Sequence, residues 1–313
     1  MQPVAIRGAP VPRLPAGPFR GTVLFLLIVF NTLLIGLPLI ALALVKLAIP
    51  IARWRRVSTA WLMQLAETWV AVNGRLIGWT QEIRWRVDGL EGLNPDGWYL
   101  VISNHRSWVD ILALQSTLNR RVPFLKFFIK DQLRWVPVLG LAWWALDMPF
   151  MKRYSREQLA RRPQLRGTDL AATRRACEKF RLQPTSVMNF VEGTRFTPAK
   201  RDATRSAYRH LLKPRAGGIA FVMEALGPIL SEMLDVTIAY PAGGGGFWQL
   251  ACGRIPEIVL EVRRRQLPTR NAAGDYTADD EFRGRFQDWL ATVWAEKDAR
   301  LEQLVGPEPG PRS

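Results

Sequence analysis

The longest uncharged stretch of the chain lies near its start and predicts a membrane-seated helix. Residues 21–45 carry no charged side chain. As a helix they would extend roughly 37 Å, at about 1.5 Å per residue, which is enough to cross a hydrocarbon core of about 30 Å. The stretch is too long for the apolar region of a signal peptide, so we expect it to be retained. Gly36 and Pro38 could kink it, so a full span and a dip into one leaflet both stay open.

A second apolar helix is predicted directly afterwards. Residues 58–79 carry large apolar side chains at helical spacing with few charges, which is typical of another membrane-contacting helix. Ten of the 13 tryptophans lie between Trp54 and Trp144. Tryptophan favours the headgroup level of a bilayer, where its ring is half dry and its N–H is hydrated. The alternative is that these rings are ordinary core aromatics.

The rest of the chain alternates strand-like and helix-like patterns, which predicts an α/β fold. The expected strands are 83–87, 98–103, 186–191, 235–240 and 257–262. The expected helices are 108–118, 218–226 and a last amphipathic one that starts at Thr277. No internal repeat is visible in the sequence.

These patterns divide the chain into four parts. Residues 1–20 hold five prolines, three arginines and no acid, so we expect a disordered basic arm. We assign 21–80 to membrane-anchoring helices and 81–304 to one catalytic domain. Residues 305–313 should form a disordered tail.

Composition narrows the possible functions. The chain has two cysteines and two histidines without a CxxC pair, which argues against a zinc site and a disulfide framework. Its formal charge of +16 attracts polyanions, whether nucleic acid, an anionic membrane or phosphorylated metabolites. No RNP, helix-turn-helix, KH or zinc signature accompanies the charge, so a nucleic-acid partner is not expected.

His105 and Asp110 are the first candidate site. His105 comes just beyond a predicted buried strand, and Asp110 stands in the first turn of the following helix. Imidazole titrates near neutrality and can accept a hydroxyl proton, while a carboxylate on its other nitrogen would orient it. The alternatives are a loop histidine, and a capping box in which Asp110 pairs with Ser107 as the N-cap.

The second candidate site is the sequence Glu-Gly-Thr-Arg at 192–195, again after a predicted strand. A glycine lets the backbone approach an anion, and an arginine fork pairs with phosphate oxygens. A plain strand-to-loop turn is the alternative. Two weaker clusters complete the pattern, one from Lys130 to Arg153 and one from Lys213 to Pro241.

In this order and with these gaps, the four blocks resemble the lysophosphatidic acid acyltransferases, the PlsC-like branch of the glycerolipid acyltransferase superfamily. The resemblance covers roughly 98–241. Asn104, His105 and Asp110 match the family's NHxxxxD block, and 190–195 match FxEGTR at every fixed position. Residues 150–153 correspond to an intermediate block of one branch, and 237–241 match the fourth block only loosely.

The resemblance implies a fold and an activity. The fold is a mixed α/β sheet flanked by helices, behind an N-terminal membrane-anchoring segment. The enzyme would be a 1-acylglycerol-3-phosphate O-acyltransferase. It would move a fatty acyl group from acyl-CoA or acyl-carrier protein to the sn-2 hydroxyl and make phosphatidic acid. It would need no metal or organic cofactor. The anionic membrane is an expected partner, with the enzyme in the bacterial inner membrane and its catalytic domain facing the cytosol.

The resemblance also implies residue roles. His105 and Asp110 would be catalytic, with His105 as the base. Arg195 is the first choice for the acceptor phosphate, and Glu192 is expected to orient Arg195 and its loop. The full set of substrate-binding candidates is Glu192, Gly193, Thr194, Arg195, Arg153 and Lys130.

Two alternatives remain beside this interpretation. Within the enzyme class, the acceptor could be another lysophospholipid or glycerol 3-phosphate. Outside it, a non-enzymatic protein that binds anionic lipid would explain the apolar segment and the basic charge. It would not explain why both the His105 block and the Arg195 block follow strands.

Overall fold

A computed structural model of the chain describes residues 15–152, 161, 177–267 and 279–305. The expected basic arm up to residue 14, the tail from 306, Arg153 and Thr277 lie outside them. The first described elements are two long helices, α1 at Pro18–Ala48 and α2 at Ala52–Thr80. Helix α1 runs unbroken through Pro38.

The two helices form an antiparallel hairpin. Only three residues join them, and Asn31 contacts Asn73 while Thr32 contacts Trp69, so α2 runs back along α1. Polar side chains fix their register: Asn31 Nδ2 donates to Asn73 Oδ1 at 2.8 Å, and Trp69 Nε1 donates to Thr32 Oγ1 at 3.1 Å. Asn31 Nδ2 and Trp69 Nε1 thereby avoid the cost of about 1–3 kcal/mol for a buried unpaired donor, whereas Asn73 Nδ2 is buried without a partner among the described residues.

A six-stranded mixed sheet forms the centre of the molecule. Its strands are β1 (Arg84–Asp88), β2 (Trp98–Ser103), β3 (Leu125–Phe127), β6 (Thr185–Phe190), β7 (Glu232–Ala239) and β8 (Glu257–Arg265). They lie in the order β1-β8-β7-β2-β6-β3, and only the β7–β8 pair is antiparallel. A small parallel pair, β4 (Ile129–Lys130) and β5 (Phe150–Met151), stands apart.

Helices cover both faces of the sheet. The helices with described bounds after the hairpin are α3 (Val109–Leu118), α4 (Leu139–Ala145), α5 (Pro198–Ala203), α6 (Ala216–Leu226), α7 (Phe247–Ala251) and α8 (Asp280–Val305), with a 3-10 helix at Asp131–Trp135; α5 and the 3-10 helix bury no residue. Strand β2 is buried on both faces, as its run of apolar residues predicts. Tyr99 and Val101 join the core beneath α1, α2 and α3, whereas Leu100 and Ile102 join the core beneath α6 and α8.

Helix α1 lies against the α/β layer along much of its length. Gly17 N donates to Cys252 O at 3.1 Å, and a Cβ on Gly21 would lie 2.8 Å from Cys252 Sγ. Farther along, a Cβ on Gly36 would lie 2.7 Å from Val138 Cγ1. Glycine is needed at these points because the helix backbone approaches its neighbours closely.

The opposite face of α1 is apolar and exposed. Its exposed side chains include Phe25, Leu26, Phe30, Leu33, Leu34 and Leu37. Within the described residues, α1 is the one helix long and apolar enough to cross a membrane. The N-terminal segment is therefore a candidate anchor.

The expected fold class is confirmed, since the sheet is mixed and flanked by helices. The elements expected at 98–103, 186–191 and 257–262 are present within a few residues of their predicted bounds. The division into four parts stays a prediction.

Candidate functional site

The candidate site lies where three neighbouring parallel strands end. Strands β7, β2 and β6 are adjacent, so their carboxyl ends meet at one edge of the sheet. Open α/β sheets bind ligands at this edge. Asn104 joins two of the ends: its Nδ2 donates to Ile238 O and its Oδ1 accepts from Ile238 N, both at 2.9 Å. The backbone that carries His105 is thereby locked to β7.

The structure brings His105 and Asp110 together. His105 Nδ1 donates to Asp110 Oδ2 at 2.8 Å, and the Asp110 side chain is fully buried. In the neutral tautomer that carries its proton on Nδ1, towards this carboxyl group, Nε2 is left as the proton acceptor. The His105 side chain is 14% exposed, so the ring retains access to solvent.

Asp110 also organises the turn that carries His105. Its Oδ2 accepts from Arg106 N at 2.6 Å and from Ser107 N at 2.8 Å, while Ser107 Oγ accepts from Val109 N at 3.0 Å. The capping interpretation is therefore correct in part, because the carboxylate does bind backbone at the start of α3. The same oxygen also holds the imidazole, so the two roles coexist.

Tyr240 is a neighbour that we did not assign to the site from the sequence. It follows β7, and its hydroxyl donates to Asp110 Oδ1 at 2.5 Å. Burial raises the pKa of Tyr240 well above its usual value, and the nearby carboxylate adds to the shift. The tyrosine therefore stays protonated and acts as a donor. The sequence places Tyr240 at the end of a predicted strand, but it does not indicate Asp110 as the partner.

Phe190 supports the imidazole ring from one face. Its ring stacks on His105 with centroids 3.9 Å apart and planes inclined by 16°. Phe190 is the last residue of β6, which lies next to β2. The two strand ends thus bring an aromatic face against the histidine.

Glu192 points inward, not towards Arg195. Its Oε1 accepts from His105 N and its Oε2 accepts from Leu212 N, both at 2.8 Å. The residue is 1% exposed. Burial raises the pKa of Glu192 to about 7, even though both backbone donors favour the charged form. We expected Glu192 to orient Arg195. Its two carboxyl oxygens instead accept from backbone N–H groups, one of which belongs to His105.

The remaining residues of the block form a loop in which Gly193 and Thr194 are half-buried and Arg195 is exposed. Gly193 has a φ of +68°, and its N–H closes a turn on Phe190 O at 2.9 Å. Thr194 Oγ1 accepts from Lys200 Nζ at 2.9 Å. Arg195 is exposed, with its guanidinium carbon 5.3 Å from the centre of the Trp108 ring. This cation–π contact places Arg195 beside the first turn of α3.

The weaker cluster from Lys130 to Arg153 is described only in part by the structure. Lys130 is an exposed residue of β4 and pairs in register with Met151. Among the described residues, no hydrogen bond joins it to another candidate. Arg153 lies outside the described residues.

No metal site accompanies this arrangement among the described residues. They contain no group of three His, Cys, Asp or Glu side chains that could hold a metal ion. The expectation of no cofactor stays a prediction.

Comparison with known proteins decides the family. The model of the family described as Acyltransferase matches residues 84–240, half of the chain. The chain belongs to this acyltransferase family. The matched range includes the strand ends that carry His105, Glu192 and Tyr240.

Similar curated proteins act on lysophospholipids, as their names state. The chain is 28% identical over 219 residues to human 1-acyl-sn-glycerol-3-phosphate acyltransferase delta, covering 65% of this chain and 52% of the relative. It is 26% identical over 267 residues to chicken lysocardiolipin acyltransferase 1, covering 79% and 65%. This acyltransferase thus spans between about half and two thirds of the length of these relatives.

A solved structure shares the fold over almost the whole chain. The crystal structure of the 1-acyl-sn-glycerophosphate (LPA) acyltransferase PlsC from Thermotoga maritima superposes with a TM-score of 0.56 and 18% identity. The match covers 93% of this chain and 98% of that one. This likeness supports the acyltransferase fold class.

Proposed function

We propose that this acyltransferase moves a fatty acyl group from a thioester to the sn-2 hydroxyl of a 1-acylglycerol 3-phosphate and makes phosphatidic acid. The observation that carries the proposal is the contact of His105 with the buried Asp110 at 2.8 Å. It leaves one ring nitrogen to act as a base at the carboxyl edge of the sheet. A non-enzymatic lipid-binding protein has no need of this arrangement.

The proposed reaction is a direct transfer. His105 Nε2 takes the proton of the acceptor hydroxyl while that oxygen attacks the thioester carbonyl. The new C–O bond forms, the C–S bond breaks, and the imidazolium returns the proton to the leaving thiolate. Asp110 stabilises the imidazolium in between. General-base help of this type contributes about 10² to 10⁴ in rate.

Arg195 is our candidate for the acceptor phosphate. It is exposed near His105, since Phe196 N donates to His105 O at 2.7 Å. A guanidinium fork binds phosphate oxygens in bidentate fashion. Arg153, Lys130, Gly193 and Thr194 are secondary candidates. The names of the relatives support a lysophospholipid acceptor.

We propose that the hairpin seats the enzyme in one leaflet. The contacts of α1 with the α/β layer extend from Gly17 to Gly36, a distance of roughly 29 Å along a helix with a rise of about 1.5 Å per residue. A helix crossing the bilayer could not keep contacts of this length with a domain outside the membrane. The exposed apolar face would enter the lipid. We place the enzyme on the cytosolic side of the inner membrane, because acyl thioesters are cytosolic.

A panel of acceptors and donors tests the proposal. The purified protein is incubated with acyl-CoA or acyl-carrier protein, and with 1-acylglycerol 3-phosphate, lysocardiolipin, lysophosphatidylinositol or glycerol 3-phosphate. Product mass spectra and thiol release are recorded. We expect phosphatidic acid to form fastest. A preference for another acceptor would reassign the substrate. Absence of transfer to every acceptor would refute the proposed acyltransferase activity.

A further inference from the structure

The segment from Arg209 to Leu212 is held between the last helix and the candidate site. It enters from α5 and leads towards α6, and His210, Leu211 and Leu212 are buried. Such a connecting segment would normally run over the surface. Its burial indicates that its position is fixed by specific partners on both sides.

Helix α8 supplies the partners on one side. Asp298 accepts from two consecutive backbone donors, Arg209 N at 2.9 Å and His210 N at 2.8 Å. Trp294 Nε1 donates to Leu212 O at 3.0 Å. Glu302 contacts the same segment through two side chains, with Oε2 2.6 Å from His210 Nε2 and Oε1 2.8 Å from Arg209 Nη1. Trp294, Asp298 and Glu302 recur every four residues, so they share one face of α8.

The partner on the other side is Glu192. Its Oε2 accepts from Leu212 N and its Oε1 accepts from His105 N, both at 2.8 Å. Contacts therefore run without a break from α8 through the segment and Glu192 to the backbone of His105. At each end of this series of contacts, one carboxyl group accepts from two backbone N–H groups. Asp298 does so at the α8 end, and Glu192 does so at the His105 end.

We infer that Asp298 and Glu302 on α8 are positioning residues for acyl transfer, acting through the 209–212 segment on Glu192 and His105. The inference rests on the proposed function of His105. It concerns a part of the chain beyond the family match, which ends at residue 240, whereas α8 begins at Asp280.

Loss of the Asp298 contacts would be passed on through neighbouring hydrogen bonds. If Asp298 no longer accepts both N–H groups, the segment loses its backbone anchor at Arg209 and His210, and Leu212 is then held by Trp294 on its carbonyl and by Glu192 on its N–H. Glu192 must then follow Leu212 or lose a donor, and either change shifts the backbone of His105. Displacing a catalytic group by about 1 Å lowers the rate by about 100-fold. Neither Asp298 nor Glu302 needs to touch substrate for this effect.

The test compares three variants of the full chain. Asp298→Asn and Glu302→Gln replace one acceptor oxygen by an amide NH₂ at nearly the same size. Glu296→Gln is the matched control, because Glu296 pairs with Arg265 at 2.6 Å and ties the same helix to β8 without touching the segment. We measure kcat, KM for acyl-CoA and for lysophosphatidate, melting temperature, and backbone hydrogen exchange in peptides that contain His105.

We expect Asp298→Asn to lower kcat by about 10- to 100-fold with both KM values within about twofold, and Glu302→Gln to lower kcat less. Exchange near His105 should rise in both, and Glu296→Gln should leave kcat and this exchange unchanged. Unchanged exchange near His105 in folded Asp298→Asn and Glu302→Gln would overturn the inference, as would an equal effect of Glu296→Gln. If Asp298→Asn does not fold, Glu302→Gln decides alone. If the unsubstituted protein shows no acyl transfer, the proposed function is refuted. The hydrogen-exchange comparison would still test whether α8 holds the backbone of His105 in place.

Discussion

His105 is held in three independent ways, and each hold comes from a different residue. Asp110 binds Nδ1, Phe190 stacks on the ring, and Glu192 accepts from the backbone N–H. A base that depends on one rotamer benefits from such support, because an imidazole free to rotate would lose the alignment that proton transfer requires. The site therefore holds the ring in place before substrate binds.

The buried carboxyl of Glu192 predicts a pH dependence of stability. Burial raises its pKa to about 7, so the folded state holds the proton more tightly than the unfolded state. This contribution is fully present below the unfolded pKa of about 4.5 and is lost as the pH rises through about 7. Relative to Glu192→Gln, the parent should lose about 3 kcal/mol of stability across this window.

Melting temperatures of both proteins between pH 4.5 and 8 check this prediction. The difference between the parent and Glu192→Gln should change steadily in favour of the glutamine variant. A constant difference would mean that Glu192 does not titrate in this window. The glutamine variant should also turn over more slowly, because its NH₂ would face a backbone N–H of His105 or Leu212.

Arg195→Lys tests the phosphate assignment. Lysine keeps the charge but loses the planar fork and its stacking on Trp108. We expect KM for lysophosphatidate to rise by about 10- to 100-fold, corresponding to roughly 1.5–3 kcal/mol for a charge-assisted hydrogen bond. KM for acyl-CoA should change little. A loss confined to acyl-CoA, or unchanged acceptor kinetics, would remove Arg195 from the acceptor site.

For single residues, the sequence indicates which side chains can do chemistry, but it does not indicate which side chains they contact. His105 and Asp110 could be singled out, because their spacing and their place after a strand have a chemical meaning. Tyr240 and Leu212 could not, because they reach Asp110 and Glu192 across separations of 130 and 20 residues. Such contacts depend on strand order, which the periodicity of one strand does not encode.

At the scale of elements, the hairpin combines two kinds of surface. One face of α1 packs on α2 and the α/β layer, and the other exposes Phe30, Leu33, Leu34 and Leu37. An apolar face of this length on a monomer marks a membrane or protein contact. Because one face of α1 packs on protein and the other is exposed, hydropathy along the helix does not distinguish a helix that spans the bilayer from one that enters a single leaflet.

Charging the exposed face should weaken membrane binding. We expect Phe30→Lys and Leu34→Lys each to lower partitioning onto anionic vesicles by about tenfold or more, since a lysine in the hydrocarbon costs up to about 3 kcal/mol. Leu182→Lys is the control, because Leu182 is an exposed leucine outside the hairpin. Vesicle co-sedimentation measures the partitioning. Equal effects of all three substitutions, or none, would contradict the anchoring role of this face.

Elements whose period is visible in the sequence were predicted, and the elements without a visible period were not. Strand β2 and helix α3 lie within one residue of their predicted bounds. Strands β3, β4 and β5 have two or three residues, and helices α4, α5 and α7 have five to seven, less than two helical turns. Neither length is enough for a period to be recognised. Their conformation depends on the neighbours that surround them.

At the scale of the whole molecule, function depends on which strands are neighbours. The order β7-β2-β6 brings Tyr240, His105 and Glu192 to one edge although they lie far apart in sequence. The α/β class could be predicted from alternating patterns, but this order could not, because several orders bury the same apolar faces. The resemblance implied a mixed sheet and the roles of the site residues, whereas the strand order is seen in the structure.

Turnover of His105→Ala against the parent tests whether His105 is the catalytic base, with lysophosphatidate and acyl-CoA in the same mixed micelles. Phosphatidic acid and free thiol are both measured, and melting temperature confirms that the variant is folded. We expect the parent to release one thiol per phosphatidic acid and the variant to lose about 10² to 10⁴ in kcat with a similar melting temperature. A folded His105→Ala protein that retains turnover within about tenfold of the parent would contradict the assignment of His105 as the catalytic base.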